Sequence, residues 1–548
     1  MVFRLAAPLF LVALAPSLCM LLRAPDMPML GRFNDDTVYL ECAKSLATGA
    51  GYRIPSLAGR PFQTKYPPLW PLLLSMVWKV NPHFPDNLGL AGVLAWAAVP
   101  AYLALAWTTF VRWGLGRTCA WLMLFVLACH DLVLMFSAMV MADLWFSAAL
   151  LACLLAAERA TAANWDNRSA VFAGALGAGA YLIKSSALPL LLSLPLCFSL
   201  RRQYRQAALS SLPMLAAVAG WNLWARAHAS HSADLASLYN TSYLGFYLYG
   251  LTLHDFFQMV SVNLRLLFPA ISHLFMLEAG GSPLEDILCG FVLVAAVSGL
   301  VRLIRRTGRL HYTVFAIGYV AQLLAWNFPP TARLLLPVLV LLLAGVGTEI
   351  ANALHVLRSV QPARGLSYAA ALVTLGLCGP LLFYWSVSSF GVLFRSLPDQ
   401  IEENRRIAAG KRGAYEWIAA HTPAAAGILA NDDELLHLYT GRRAASLIVP
   451  PVLTYRADEQ ALQNELRSFP SYARALRLDY VMVTSSDLIR ENLERFRPLL
   501  TETMSRAPGF ARVYHSSVAD IYVDQWAGDR AASTVQTRMA SRVPGAGI

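Results

Sequence analysis

Apolar residues in this chain gather into long unbroken stretches, such as 291–301 and 334–346, separated by short polar links. Transmembrane β-strands would instead alternate apolar and polar side chains over segments of about ten residues, so a β-barrel is excluded. The stretches predict membrane-spanning helices, each of which needs about 20 mostly apolar residues. Apolar windows of 17 to 25 residues give about eleven candidate spans, near 5–22, 88–111, 118–137, 144–158, 169–185, 187–200, 207–225, 287–304, 311–328, 334–350 and 367–390. Two further segments, 68–81 and 256–276, are apolar but short or interrupted by charge, and read as helices lying at the membrane surface.

The pattern changes near residue 391. GAYEWIAAHT has helical spacing, AAGILAND and LDYVMVTSSD read as strands ending in turns, and ARVYHSSVADIYVDQ reads as a closing hairpin. The expected architecture is a polytopic α-helical membrane protein over 1–390, followed by a soluble α/β domain over 391–548. The last residues, from Gly528, are small and polar and read as disordered.

Composition supports that division, with 57% hydrophobic and only 14% charged residues in 548. The net charge of +11 is uneven: 25 basic and 15 acidic residues precede the cut near 390, against 19 and 18 after it. The excess therefore belongs to the membrane part and does not describe a nucleic-acid surface. With the N-terminus in the cytoplasm, alternate connections hold Arg112 and Arg117; Arg159 and Arg168; Arg201, Arg202 and Arg205; Arg302, Arg305, Arg306 and Arg309; and Arg358 and Arg364. All five clusters fall on one side, as the positive-inside bias requires. Connections 23–87 and 226–286 and the chain after 390 then face outward, which in a bacterial inner membrane is the periplasm. A cleaved signal peptide fits the first span poorly, because Leu18 before Cys19 spoils a lipoprotein site and no small-x-small site closes the run. Seven of the eight cysteines lie in apolar runs, leaving Cys42 alone, so no disulfide framework or metal quartet is available.

Candidate chemistry begins in GRFNDDTVYLECAKSLATGAGYRIPSLAGRPFQTKYPPLWPLL, directly after the first span. Adjacent carboxylates at a low-dielectric boundary raise the proton affinity of at least one of them, which is how a general base near neutral pH is made. Asp35 and Asp36 fit that use, and equally fit an N-cap on the helix that follows. Asp143 stands at the outer start of the fourth span, where a boundary carboxylate is costly; a functional role and an N-cap both remain open. His130 and Asp131 lie in the outer third of the third span and either line the same cavity or pair within the bundle. Lys184 ends the fifth span on the outer side and Arg333 begins a late one, both against the charge bias; snorkelling to headgroups is the alternative for each. In loop 226–286 the spacing of His228 and His231 suits a metal pair, although scattered loop histidines usually serve as polar surface. Asp432 to Glu434 read as a strand-to-helix turn with a capping role.

Taken whole, Asp35-Asp36, Tyr39, Ala43, Leu46, Gly49, Gly51-Tyr52, Gly59, Pro61 and Tyr66-Pro67-Pro68-Leu69 resemble the first exoplasmic loop of the C-type glycosyltransferase superfamily. The similarity is to dolichyl-phosphate-mannose protein mannosyltransferases and bacterial lipid A aminoarabinose transferases. It implies a polyprenyl-phosphate sugar donor, a lipid, glycan or protein acceptor, and Asp35 as the base that takes the acceptor's proton. Asp36 departs mildly from the Glu common in the family, and two roles stay open for it, positioning the acceptor or helping to hold a divalent cation; no other cofactor is implied. The resemblance makes Asp143 a second catalytic acid and Lys184 and Arg333 contacts for the donor phosphate. Relatives often show Lys-Pro-Pro where this chain has Tyr66-Pro67-Pro68, so the shift of Lys65 by one place puts its phosphate contact in question. Tyr66, His130 and Asp131 are expected to line the substrate cavity. A transporter or lipid flippase is the rival, and it predicts an inverted internal repeat that the sequence lacks; a cell-wall receptor would leave Asp35 replaceable.

Overall fold

The eleven apolar segments are helical in the computed structural model, 88–111 and 118–137 each as two consecutive helices; it describes residues 2–162, 166–230, 234–358, 365–489 and 492–526. His231, Arg364 and the polar end from Gly528 lie outside the described residues. Five of the described helices are long and apolar enough to cross a membrane: Leu88–Arg112, Asp143–Thr161, Pro283–Arg306, Ala332–Arg358 and the helix that starts at Gly365. The pair Arg117–Ala128 and Asp131–Ser137, bent by 54° at its break, is long and apolar enough only when the two helices are taken together. Four shorter apolar helices, Ala7–Arg23, Leu69–Val80, Ser185–Leu200 and Leu310–Leu324, accompany them. The chain is thus a multi-pass membrane protein, with the count of eleven resting on hydropathy alone.

Two compact units form. The first comprises Met1–Met27, Tyr66–His228 and Leu251–Glu402. Its helices approach closely where side chains are small, which is how apolar helices associate without a hydrophobic drive between them. A Cβ on Gly299 would lie 1.9 Å from the Gly345 carbonyl oxygen, and one on Gly345 would lie 2.2 Å from that of Ala296, so Pro283–Thr307 and Ala332–Arg358 meet backbone to backbone. Gly174 likewise faces the Ser210 carbonyl at 2.2 Å, and Gly177 faces Met214 and Cys153.

The second unit comprises Pro28–Lys65, Ala229–Gly250 and the chain from Glu403. Its five-stranded sheet has the order β2-β1-β3-β5-β4, with β1 Gly427–Leu429, β2 Arg443–Ala445, β3 Tyr480–Thr484, β4 Phe510–His515 and β5 Ala519–Asp524. Strands β2, β1 and β3 run parallel, and the β4–β5 hairpin adds antiparallel to β3. The strands and hairpin expected from AAGILAND, LDYVMVTSSD and ARVYHSSVADIYVDQ are β1, β3 and β4–β5. The two upstream segments join this unit through long-range contacts: helix Asp35–Ala47 packs on helix Asp433–Thr440, the Ala444 N–H donates to the Ser56 carbonyl at 2.9 Å, and the Ala236 N–H donates to the Tyr472 hydroxyl oxygen at 3.2 Å.

Candidate active site

In the first unit, Asp143 opens helix Asp143–Ala162 and is 4% exposed at its side chain. Lys184 reaches it from the end of helix Asn167–Ile183, where the backbone turns extended at φ −151° and directs the residue off the helix axis. Arg333 reaches it from the first turn of Ala332–Arg358, after Pro329 and Pro330 have ended the preceding segment. Lys184 Nζ donates to Asp143 Oδ1 at 2.9 Å, and Arg333 Nε lies 3.5 Å from the same oxygen. The other carboxylate oxygen, Oδ2, is buried and accepts no hydrogen bond among the described residues. Three residues spread over 191 positions of sequence therefore form one cluster carrying two positive charges and one negative. The cations keep 18% and 15% of their side chains exposed, so an approaching anion can reach them while the carboxylate between them is covered.

Helix Asp143–Ala162 carries a second carboxylate near its other end, about 22 Å away at 1.5 Å per residue. Glu158 is also nearly buried, and it too is held by two cations: Arg112 Nε at 2.9 Å and an Arg309 terminal nitrogen at 3.2 Å, both on Oε1. Its Oε2 accepts the Tyr312 hydroxyl at 2.9 Å, and Trp113 packs edge-on against that tyrosine. Arg112 and Arg309 read from sequence as topology markers; the signal for their partner was a lone acid inside an apolar span.

His130 and Asp131 belong to the break between Arg117–Ala128 and Asp131–Ser137. At the start of the second helix the His130 imidazole lies with Nδ1 3.2 Å from the Leu132 nitrogen and 2.9 Å from Asp131 Oδ1, and with Nε2 2.6 Å from the Leu274 carbonyl oxygen. Asp131 Oδ1 accepts the Leu132 N–H at 2.7 Å. Capping explains the bend, because a new helix begins with its own satisfied N-terminus. Tyr66 is buried at the start of the segment that leads into helix Leu69–Val80.

In the second unit, neither Asp35 nor Asp36 is the N-cap of helix Asp35–Ala47; that position is Asn34, which adopts a left-handed φ of 62° and makes no side-chain cap. Asp36 is fully buried and accepts the Gly31 N–H at 3.2 Å and the Thr37 N–H at 2.9 Å. Gly31 adopts φ +87° to present that N–H, a conformation a side chain would strain. Asp36 thus holds the loop, while Asp35 is half-buried and interacts electrostatically with Lys65. The Lys65 ammonium is buried 3.7 Å from the Tyr239 ring and 5.6 Å from that of Tyr243. Burial lowers its proton affinity to about 8, with Asp35 and Glu434 pulling in the opposite direction.

Sequence reasoning passed over Glu41 and read Glu434 as part of a capping turn; both acids are fully buried, and the helix whose first turn holds Glu434 has no side-chain cap. Glu41 accepts the Ser56 N–H and, at 3.0 Å, the Ser56 hydroxyl; Glu434 accepts the Thr37 hydroxyl at 3.4 Å. Burial and then the nearby Glu434 charge push the Glu41 carboxyl well above the usual range, against the bonds from Ser56. Further along, Lys411 pairs with Asp432. Among the described residues no three His, Cys, Asp or Glu side chains gather in a way that could hold a metal ion.

Compared with solved structures, the chain is similar along almost its whole length to ArnT from Cupriavidus metallidurans bound to undecaprenyl phosphate, with a TM-score of 0.52, 14% identity, 95% of this chain covered and 98% of that one. The chain has the fold of the C-type glycosyltransferases. A second C-type structure, the Archaeoglobus fulgidus oligosaccharyltransferase in complex with zinc and sulfate, aligns at a TM-score of 0.50 and 13% identity, covering 94% of this chain and 73% of that one. No protein-family model matches the sequence, and a search of curated proteins returns no significant match. At such identities the likeness concerns the C-type backbone, and assignment of chemistry falls to this chain's own residues.

Proposed function

We propose that this chain is a membrane glycosyltransferase that moves one sugar from a polyprenyl-phosphate carrier to a lipid, glycan or protein acceptor at the periplasmic face of a bacterial inner membrane. The observation that carries the reading is the pair of cations, Lys184 and Arg333, on a single buried carboxylate. A cluster of net charge +1 is suited to a phosphate, and two fixed cations stabilise the charge that grows on a departing one. The C-type backbone, shared with a protein crystallised on undecaprenyl phosphate, supports the same donor class.

In the proposed step Asp35 removes the proton from an acceptor hydroxyl or amine. The acceptor atom bonds to the anomeric carbon while the bond from that carbon to the phosphate oxygen breaks. The electron pair leaves with polyprenyl phosphate, and direct attack inverts the anomeric configuration. Asp36, occupied by the Gly31 and Thr37 N–H groups, shapes the loop instead of taking the proton. Lys65 places a positive charge near Asp35. The test is transfer from radiolabelled polyprenyl-phosphate sugars by the purified full chain. Turnover by the wild type that falls at least about a hundredfold in Asp35→Asn is expected, in line with loss of a general base; transfer that survives the substitution removes Asp35 from that role.

A further inference from the structure

We infer that the second oxygen of Asp143 accepts a hydrogen bond from a hydroxyl of the carrier-linked sugar, which makes Asp143 a specificity-determining residue that distinguishes a loaded carrier from a spent one. The inference rests on the donor assignment above and adds what the buried carboxylate recognises. Oδ1 is held by Lys184 at 2.9 Å and flanked by Arg333 at 3.5 Å. Oδ2 is buried and accepts nothing among the described residues. A buried carboxylate oxygen without a donor is costly, and a native protein keeps one where a ligand supplies the donor.

The opposite end of the same helix shows what such an oxygen accepts when the protein itself supplies the partner. Glu158 has the same two-cation grip on one oxygen, and its other oxygen takes the Tyr312 hydroxyl at 2.9 Å. A hydroxyl is therefore the natural partner in this arrangement, and a sugar attached to a phosphate held by Lys184 and Arg333 offers hydroxyls a few ångströms from the phosphate. A second phosphate oxygen is the wrong partner, because it is anionic and would meet the carboxylate as a like charge.

The full chain in lipid nanodiscs is titrated with polyprenyl phosphate, bare or carrying mannose, galactose or arabinose, for the wild type and Asp143→Asn. The wild type is expected to prefer at least one loaded carrier to the bare one. Asparagine turns an amide N–H donor toward the sugar hydroxyl or leaves a weaker neutral acceptor, so that preference drops roughly tenfold, about one hydrogen bond to a charged group. The bare carrier binds Asp143→Asn at least as well as wild type, since the two cations lose their counter-charge. A preference that survives in Asp143→Asn, equal weakening toward both carriers, or a wild type that binds both equally overturns the inference while leaving the phosphate donor in place. Failure of every carrier to bind the wild type overturns the donor assignment and this inference together. Should Asp143→Asn not fold, the wild type is titrated with the preferred sugar per-O-methylated: loss of the preference supports the hydroxyl contact, and its retention overturns it.

Discussion

The two ends of helix Asp143–Ala162 carry the same device in two conditions. At each, one carboxylate is gripped through a single oxygen by two cations drawn from other helices, Lys184 and Arg333 at one end, Arg112 and Arg309 at the other. At Glu158 the remaining oxygen takes a tyrosine hydroxyl, so every strong acceptor is used and the cluster ties three segments of chain. At Asp143 the remaining oxygen stays open. A buried ionic cluster that is fully satisfied serves packing; one that leaves an acceptor unfilled carries a cost without structural return, and such costs concentrate where ligands bind.

Removing the acid at each end should therefore separate stability from activity. Glu158→Leu leaves Arg112 and Arg309, 30% and 23% exposed, without their counter-charge, at a cost below the about 3–5 kcal/mol of a fully buried pair, and should lower the thermal unfolding midpoint of the purified protein. Asp143→Asn, which keeps an oxygen beside Lys184, should lower that midpoint far less while abolishing most sugar transfer. Equal stability losses at both ends would break the comparison. Tyr312→Phe sharpens it, because it gives Glu158 the same open oxygen that Asp143 has; a loss of about 1–3 kcal/mol is expected, with transfer per folded molecule unchanged. An unaltered midpoint would mean that filling the second oxygen contributes nothing.

The smallest effect concerns Lys65, where burial lowers the ammonium's proton affinity to about 8. Transfer should decline as pH rises through about 8 in the wild type, as a cation that would attract the anionic donor is lost, and Lys65→Met should lack that limb. Stability moves the other way. Between about 8 and the ordinary lysine value near 10.5 the unfolded chain binds a proton the folded chain has released, so stability rises with pH over that interval, and Lys65→Met should flatten the rise. A pH profile identical in both proteins would show that the charge on Lys65 plays no part.

What the sequence disclosed and withheld follows from the range of the interactions. Helices came from local hydropathy, and all eleven apolar segments are helical. The strands of the second unit came from alternation and turn residues. Asp143, Lys184 and Arg333 each stood out because a charge at the end of an apolar run is conspicuous, although nothing in their spacing foretold that one oxygen would join them. Glu41 and Glu434 were illegible, since an acid in an ordinary amphipathic helix looks solvated until the fold buries it against another. The cap assigned to Asp432 to Glu434 hid the contact of Glu434 with Thr37, 397 positions upstream. The bend at His130 was invisible because the span reads as continuous apolar sequence, and only the contacts of His130 and Asp131 with the Leu132 nitrogen end one helix and begin the next.

The most direct test of the central claim is the affinity of the full chain for bare polyprenyl phosphate, measured for the wild type and for the double variant Lys184→Gln, Arg333→Gln. Two charge-assisted contacts to phosphate should be lost, so affinity is expected to fall at least about a hundredfold, and the salt dependence of binding should shrink with it. Equal affinity and equal salt dependence in the two proteins would contradict the assignment of these cations to the donor phosphate.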